Sequence, residues 1–297
     1  MKYFLLPVFG MLLMTFLFST HAQQGIKIEL SAEKTTFLLG EPVVVLVKVT
    51  NTANSPLMIP GGLEAEFDML HYEITNPDGK TTPYSPMYVV DTDKRIILNK
   101  NESAYGAARL FYGGNGYTFT KPGTYKVQAR FKDVQSNALA VKISAPQNDA
   151  EREQAALILD NAEVGLFLML EGGDELMEAH KALATLEEKY PQSLLTAYVK
   201  FAQGKNLSVP ARNFVSKKPR DANLTKAIEI LQSVKDAPLQ MYYRVKAATT
   251  LSTCYQKTGR KEDARKTLEG MQKLLTNQKR LAPYFSRALK VGFQQLK

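Results

Sequence analysis

The first half of the chain takes its architecture from KPGTYKVQARFK, residues 121–132. Pro122-Gly123 turn the chain, because proline fixes φ and glycine accepts a left-handed backbone. From Tyr125 onward apolar side chains alternate with lysine, glutamine and arginine. This period of two predicts a β-strand with one buried face. That face consists of Tyr125, Val127, Ala129 and Phe131.

Similar short apolar patterns lie on both sides of this stretch, separated by turn residues. They are the alternation of Ile26, Ile28 and Leu30, the β-branched run at 43–49, the alternation of Leu70, Tyr72 and Ile74, and the closing Leu139, Val141 and Ile143. About seven short strands with frequent turns are typical of a two-sheet antiparallel sandwich. We therefore expect a β-sandwich over residues 23–146.

Three motifs of this segment resemble those of bacterial immunoglobulin-like domains. They are LGEPV at 39–43, NPDG at 76–79 and FTKPGTY at 119–125. GTYKV at 123–127 looks like the tyrosine corner of such sandwiches, with Val127 where antibody domains place a cysteine. The set is similar to the BsuPI-type proteinase-inhibitor group. The resemblance implies an immunoglobulin-like fold, and it implies inhibition of a protease only by analogy, because one fold hosts many functions.

After Ser144-Ala145-Pro146 the periodicity changes to that of helices, and Asn148 or Asp149 is expected to cap the first of them. Two apolar stripes follow, Leu176, Ala179, Leu183 and Leu186, then Ala227, Ile230, Leu231 and Val234. The segment 247–275 resembles a tetratricopeptide repeat, with Leu251, Tyr255, Gly259, Ala264 and Leu268 at signature positions. The resemblance implies a helical repeat domain over 147–297 of about three stacked pairs. Residues 207–221 interrupt its period.

The first 22 residues predict an export signal. Lys2 provides a positive start, residues 5–18 are almost wholly apolar, and Thr20-His21-Ala22 supplies small residues at a cleavage point. The apolar run is shorter than the roughly 20 residues that span a bilayer, and no later stretch is long enough. We expect a chain without a transmembrane segment after signal removal, located in the bacterial periplasm or outside the cell.

Composition argues against most catalytic chemistry. The chain has one Cys and three His, so a disulfide framework, a cysteine-based zinc site or a histidine-rich metal centre is hard to assemble. Neither His71 nor His180 has a Cys, His or Asp nearby at the spacing of metal ligands, and Cys254 falls on an apolar helix face. No phosphate loop or dinucleotide motif occurs. We predict no catalytic residue, no cofactor and no metal.

Glu64, Glu66 and Asp68 alternate with apolar residues. On an extended strand they would share one solvated face, which is the interpretation the alternation favours. In a cleft, carboxylates such as Glu64 and Glu66 could instead hydrolyse a glycan. The two interpretations differ in whether the carboxyl groups converge in a pocket.

Charge is distributed unevenly. Residues 23–146 have 13 bases and 12 acids, residues 147–190 have 3 and 11, and residues 191–297 have 21 and 6. The last segment therefore has a net charge of +15. Such a surface attracts an acidic protein, an acidic glycan or lipid headgroups, whereas export argues against nucleic acid.

These observations predict an exported, non-enzymatic binding or scaffold protein of the bacterial envelope that contacts a protein partner through its helical repeat surface. The alternatives are a protease-inhibiting sandwich and a glycan-binding or glycan-active protein. The residues expected to contact a partner are Tyr112 and Tyr117, which end a glycine-rich loop, and the cations Lys217, Lys218, Arg220, Arg260 and Lys261. Exposed tyrosines suit a contact loop because they bury a large area at little entropic cost.

Overall fold

The structure, a computed structural model, describes residues 25–67, 69–90, 95–212 and 218–296. The predicted signal at 1–22, Asp68 and Lys217 lie outside these ranges. The strands are β1 (Ile26–Ser31), β2 (Thr36–Leu38), β3 (Val44–Asn51), β4 (Leu57–Pro60), β5 (His71–Thr75), β6 (Thr81–Pro83), β7 (Arg95–Leu98), β8 (Ser103–Arg109), β9 (Tyr112–Gly113), β10 (Gly116–Tyr117), β11 (Gly123–Phe131), β12 (Val134–Gln135), β13 (Leu139–Ser144), β14 (Ala211–Arg212) and β15 (Pro219–Arg220). The helices are α1 (Asp149–Leu159), α2 (Ala162–Leu170), α3 (Met177–Lys189), α4 (Leu194–Leu207), α5 (Leu224–Val234), α6 (Met241–Lys257), α7 (Lys261–Thr276) and α8 (Ala282–Gln294). The predicted layout of β-sheets followed by helices is confirmed.

Two sheets make up most of the first half. One has the order β1-β3-β8 and is antiparallel throughout, and the other has the order β2-β13-β11-β5-β6 with β12 paired to β11. The second sheet is mixed, because β2 runs parallel to β13. Its centre is the strand predicted from residues 121–132, and Val127 lies opposite Ile74 on one side and Leu139 on the other.

The facing sides of the two sheets share one apolar core. Alternation along β1 places Ile28 inside, and alternation along β11 places Tyr125 and Val127 inside. All three belong to a single hydrophobic cluster with Val45 and Val47 of β3. The predicted apolar faces of these strands are confirmed.

Two helix boundaries lie where the sequence signals predict them. Asn148 caps α1, because its side chain accepts a hydrogen bond of 2.9 Å from the backbone N–H of Glu151. Helices α6 and α7 form the predicted helical pair, joined at Gly259, whose φ of +78° favours glycine. The described residues form eight helices rather than the three pairs predicted, because α1 and α2 form an additional pair ahead of α3.

Alternate helices lie in one layer against the sheets. Helices α2, α4, α6 and α8 contact one another in succession, α2 also contacts β9 and β10, and α8 contacts β8. Val44 and Leu46 of β3 are buried in a cluster with Tyr198 of α4 and Tyr243 of α6. The helices therefore cover the outer side of the β1-β3-β8 sheet.

Burial on both sides explains the composition of β3. A strand with one face in water alternates apolar and polar residues, whereas residues 43–47 are apolar without interruption. Burying Val44 and Leu46 against the helices contributes on the order of 1.5–3 kcal/mol for each side chain. Both hydrophobic clusters contain residues of strands and of helices, so neither half has a core to itself.

Candidate functional site

A chain of buried polar side chains fastens the helices to the first sheet. The Tyr198 hydroxyl donates to Oε1 of Glu41 over 2.9 Å. Nε2 of Gln240 donates to the Tyr198 hydroxyl and to the carbonyl oxygen of Pro42, over 2.9 and 2.6 Å. The N–H of Val44 donates to Oε1 of Gln240 over 3.2 Å. The sequence predicts partner contact through the helical repeat surface without naming particular helices, and the side of α4 and α6 that faces the first sheet is occupied by the protein itself.

A second polar cluster, the Arg109 cluster, lies at the same junction. Arg109 of β8 donates to Oε1 of Glu66 over 3.2 Å, to Oε1 of Glu171 over 3.3 Å and to the carbonyl oxygen of Met169 over 2.6 Å. Lys246 of α6 also pairs with Glu171. Arg109, Glu66 and Glu171 are all less than 9% exposed. One guanidinium thereby joins the loop after β4 to the end of α2.

The backbone at Glu171 shows how tightly this cluster is held. Glu171 ends α2 in a left-handed conformation with φ of +58°, which costs a non-glycine residue roughly 1–2 kcal/mol. Its pairing with Arg109 and Lys246 offsets that cost. Burial lowers the pKa of Lys246, and the opposing carboxylate of Glu171 only partly restores it. In this cluster the carboxylates of Glu66 and Glu171 pair with Arg109 and Lys246, so the cluster is a contact within the protein.

The tyrosines of the glycine-rich loop lie at this junction rather than in solvent. Tyr112 is 5% exposed and packs its ring on the face of α2 at Gly165. The hydroxyl of Tyr117 donates to the carbonyl oxygens of Ile158 and Asn161, over 2.6 and 3.1 Å. The two rings meet edge to face. The prediction of an exposed contact loop is wrong, because the loop contacts the protein's own helices.

In the first group of predicted cations, Arg220 contacts the protein itself. Arg220 donates to Oδ2 of Asp174 over 2.5 Å and to the carbonyl oxygen of Asn206 over 3.0 Å, which ties it to the helices and corrects its assignment to a partner. Lys218 is exposed. Lys217 lies outside the described residues.

The second group is divided. Arg260 donates to Oδ2 of Asp263 over 2.7 Å, and its guanidinium lies 4.3 Å from the ring centroid of Tyr255. Arg260 therefore contacts residues of α6 and α7 but stays exposed, and its role as a partner contact stays a prediction. Lys261 is exposed at the start of α7.

Glu64 and Glu66, which were considered for glycan hydrolysis, do not lie on an extended strand. Residues Ala65–Phe67 form a turn of 3-10 helix, which corrects the extended strand predicted there. Glu66 points inward to Arg109, and a carboxylate of Glu64 accepts from the N–H of Leu63 over 3.0 Å. Glu66 is therefore engaged with Arg109 inside the protein.

Histidine and cysteine lie where they have structural roles. Nε2 of His180 lies 3.0 Å from the carbonyl oxygen of Gly173, and its ring packs edge to face on Phe167. Burial raises the pKa of the Cys254 thiol. Among the residues that the structure describes, no three His, Cys, Asp or Glu side chains are grouped so as to hold a metal ion.

A basic surface that the sequence analysis did not single out lies on α8. Arg287 and Lys290 are exposed on the side of the helix opposite Phe285 and Leu289, and Lys279 is exposed in the turn before it. Within the described ranges none of the three forms an ion pair. We call these three residues the α8 basic face. Val291, 46% exposed, lies beside them on the helix.

The signal for this surface is a run without acids. Residues 270–297 contain six Lys or Arg and no Asp or Glu. Helix α7 neutralises Arg265 with Glu262 and Glu269 one turn away, but α8 has no carboxylate with which to do so. The net charge of the whole segment 191–297 does not reveal this difference between α7 and α8.

Comparisons with known proteins give little further information. No family model matches the chain, and no curated protein matches it. A β-glucosidase from Listeria innocua is 12% identical with a TM-score of 0.27 over 40% of this chain and 16% of its own length. The DNA glycosylase AlkC of Pseudomonas fluorescens, bound to DNA with an abasic site analogue, is 13% identical with a TM-score of 0.28 over 41% of this chain and 31% of its own. A CARDB domain of Pyrococcus furiosus is 11% identical with a TM-score of 0.24 over 40% of this chain and 86% of its own. The chain spans only 16% of the length of the glucosidase, and likenesses this slight assign neither fold nor activity.

In the ranges described, no helix combines the length and the apolar character needed to cross a bilayer.

Proposed function

We propose that the protein is an exported, non-enzymatic binding or scaffold protein of the bacterial envelope that captures an acidic protein partner through the α8 basic face. The observation that carries the proposal is the unneutralised charge of Arg287, Lys290 and Lys279 on a surface that the fold leaves open. Cations without counter-ions steer an acidic partner and fix its orientation. Val291 adds exposed apolar area at the same place, which favours a protein over a purely anionic surface.

The proposal includes the finer description of the fold. The two facing sheets and the turn at Pro122-Gly123 support an immunoglobulin-like sandwich. The alternation of helices between two layers supports a tetratricopeptide-like array. In this arrangement the inner layer holds the sandwich, and the last helix presents the binding surface.

Export rests on residues 1–22 and places the protein in the periplasm or at the cell surface. With Cys254 as its single cysteine the chain forms no internal disulfide in such an oxidising compartment. Its stability comes instead from the two apolar cores that strands and helices share.

The experiment is photo-crosslinking in intact cells. A photoreactive residue replaces Ser286, which is exposed on α8 beside Arg287, and, in a matched control, Thr124, which is exposed on β11 of the opposite sheet. We expect a discrete adduct from position 286 that mass spectrometry identifies as an envelope protein, and none of the same mass from position 124. Equal labelling from both positions, or capture of glycan or lipid alone at 286, would contradict a protein partner.

A further inference from the structure

The helix layer advances along the strands of the first sheet in steps. Arg109 of β8 bonds the end of α2 and lies over the ring of Tyr242 of α6. Two residues back along the strand, Ala107 is buried in the cluster that contains residues of α4 and α6. Two residues further back, Tyr105 packs edge to face on Tyr284 of α8, with ring centroids 5.1 Å apart. Among the described helices, α8 thus lies farthest toward the start of β8.

Beyond α8 the outer face of the sheet stays partly exposed. Lys48 lies opposite Tyr105, and Thr50 lies opposite Ser103, in the register of β3 and β8. These rows continue the face that the helices cover, because alternate residues of a strand point to the same side. None of the four residues is buried, and Tyr105 is 38% exposed. The layer therefore ends at α8 while the sheet continues.

Helix α8 carries an apolar stripe at this boundary. Tyr284, Ala288 and Val291 are spaced four and three residues apart, so they lie on one side of the helix. That side is the one on which Tyr284 meets Tyr105. Ala288 is exposed, and Val291 is 46% exposed. The stripe and the exposed rows of the sheet form the two walls of a corner, which we call the α8 corner.

Both walls of the α8 corner have an excess of positive charge. On the helix, Arg287 and Lys290 lie on the exposed side beside the stripe, and within the described ranges they form no ion pair. On the sheet, Lys27 and Lys48 share the single carboxylate of Glu29, over 2.9 and 3.3 Å. Acidic side chains of an occupant would therefore be attracted from both sides. An occupant with acids on either side of an apolar stripe complements this corner.

We propose that the partner contributes an acidic amphipathic helix, which occupies the α8 corner as the next helix of the layer. This inference rests on the proposed function, because it names the element through which an acidic protein would bind the α8 basic face. Packed helices lie about 8–10 Å apart, so a helix beside α8 would lie over Thr50 and Ser103. Its apolar stripe would cover Val291 and Tyr105, and its acids would face the cations of both walls. Apolar anchors three and four residues apart are what helix-in-groove recognition uses.

A second copy of the chain fits the α8 corner poorly. Its own α8 would set Arg287 and Lys290 against the same cations. A head-to-tail contact would need the acidic segment 147–190, but five of its 11 acids already form ion pairs within the chain. These acids are Asp149, Glu153, Glu171, Asp174 and Glu178. The charges therefore favour a foreign acidic helix as the occupant.

The test uses helical peptides and the full chain. A displayed library of eighteen-residue peptides fixes apolar residues at helical spacing and varies the remaining positions. We expect selection on the chain to enrich Asp and Glu at the positions that flank the apolar stripe. A selected peptide should bind at least tenfold more tightly than a peptide of the same composition in which the apolar spacing is scrambled.

Val291→Gln tests the apolar stripe separately from the charge. It removes exposed apolar surface from α8 and leaves the charge of the helix unchanged, so we expect it to weaken binding of a selected peptide at least fivefold. Leu170→Gln is the matched control, because Leu170 is an apolar helical residue that is 50% exposed at the end of α2. It should weaken binding less than twofold.

A thiol on the sheet locates the bound peptide. Ser103→Cys introduces a thiol in the exposed row, and a bound peptide should slow its alkylation at least fivefold. Thr124→Cys, at an exposed position of β11 in the opposite sheet, is the control and should react at an unchanged rate. The native Cys254 is buried, so its reaction is slow beside that of the introduced thiol.

Several results would overturn this inference. They are the failure of the library to yield a binder, equal binding of the scrambled peptide, equal effects of the two Gln substitutions, or unchanged alkylation of the Ser103→Cys chain. A doubled mass of the free chain in solution, lost on Val291→Gln, would assign the corner to a second copy. If position 286 captures an acidic protein and the helical peptides fail, only this inference falls. The absence of any adduct at position 286 would count against the proposed function, whatever the peptides do.

Discussion

The hydroxyl of Tyr198 lies 2.9 Å from Oε1 of Glu41 and donates a hydrogen bond to that carboxylate, although 157 positions separate the two residues. The side chain of Glu41 is fully buried, and Lys34 provides its counter-charge over 2.6 Å. A buried carboxylate needs such partners, because leaving it unsatisfied costs more than an ordinary hydrogen bond contributes. This contact joins the helices to the sheet and fixes which helical surface is left for a partner.

Tyr198→Phe should lower the free energy of unfolding by about 1–3 kcal/mol, since it removes the hydroxyl and leaves Glu41 and Gln240 short of a partner. Denaturant titration followed by circular dichroism measures the change. Tyr105→Phe, at a position that is 38% exposed, is the control and should change stability by less than about 0.5 kcal/mol. Equal effects would contradict the role of the hydroxyl.

Arg109→Met should lower the free energy of unfolding by about 3–5 kcal/mol, because Glu66 loses its counter-ion and Glu171 keeps only Lys246. Methionine retains much of the apolar stem, so the loss reports on the charge. Arg152→Met breaks the exposed pair of Arg152 with Asp149 and should cost less than about 1 kcal/mol. A cost for Arg109→Met no greater than that of the control would show that the cluster does not hold the two halves together.

Gly165→Ala tests the burial of the tyrosine loop. A Cβ at Gly165 would fall within the ring of Tyr112, so we expect a loss of about 1–3 kcal/mol from overpacking. Gly270→Ala is the matched helical control, since no atom lies within 4 Å of its added Cβ, and it should stabilise the protein by up to about 1 kcal/mol. Stabilisation by both substitutions would mean that Tyr112 does not pack on α2.

Alkaline pH should unfold the protein through its buried tyrosines. Burial raises the pKa of Tyr72, Tyr198 and Tyr243 in the folded state above the value of 10.0 that holds in the unfolded chain. Below pH 10 they have no effect on the pH dependence. Above it the unfolded chain loses their protons first, so stability falls by about 1.4 kcal/mol per pH unit for each such tyrosine.

Denaturant titrations at pH 9 and pH 11, with tyrosinate absorbance recorded in parallel, measure this effect. The absorbance of the buried tyrosines should rise together with unfolding. Their ionisation near pH 10 in a chain that remains folded would contradict the burial of their hydroxyls.

The local elements of the fold could be predicted from the sequence, because they depend on near neighbours. The alternation around Val127 and the cap at Asn148 predicted a strand and a helix start that the structure confirms. The uninterrupted apolar run at 43–47 also indicates a strand that is buried on both faces. Assigning it only as a strand leaves out this second buried face.

The candidate site could be predicted only in part, because its contacts join distant residues. Glu66 is buried because it pairs with Arg109, which lies 43 positions further along the chain. Arg109 in turn donates a hydrogen bond to Glu171, another 62 positions on. Tyr112 is buried because a glycine on α2 receives its ring. Periodicity carries no information about such pairs, so it did not show that Tyr112, Tyr117 and Arg220 contact the protein's own helices. The absence of Asp and Glu from residues 270–297 could have been recognised in the sequence, and it predicts a basic surface on α8.

The most direct test of the proposed function is the dissociation constant between the purified chain and the partner captured at position 286. Arg287→Glu with Lys290→Glu should weaken binding at least tenfold, and more so at low salt. Lys126→Glu with Lys142→Glu makes the same change of charge on exposed positions of β11 and β13 and should weaken it less than twofold. Equal weakening by both pairs, or none by the first, would contradict the assignment of binding to the α8 basic face.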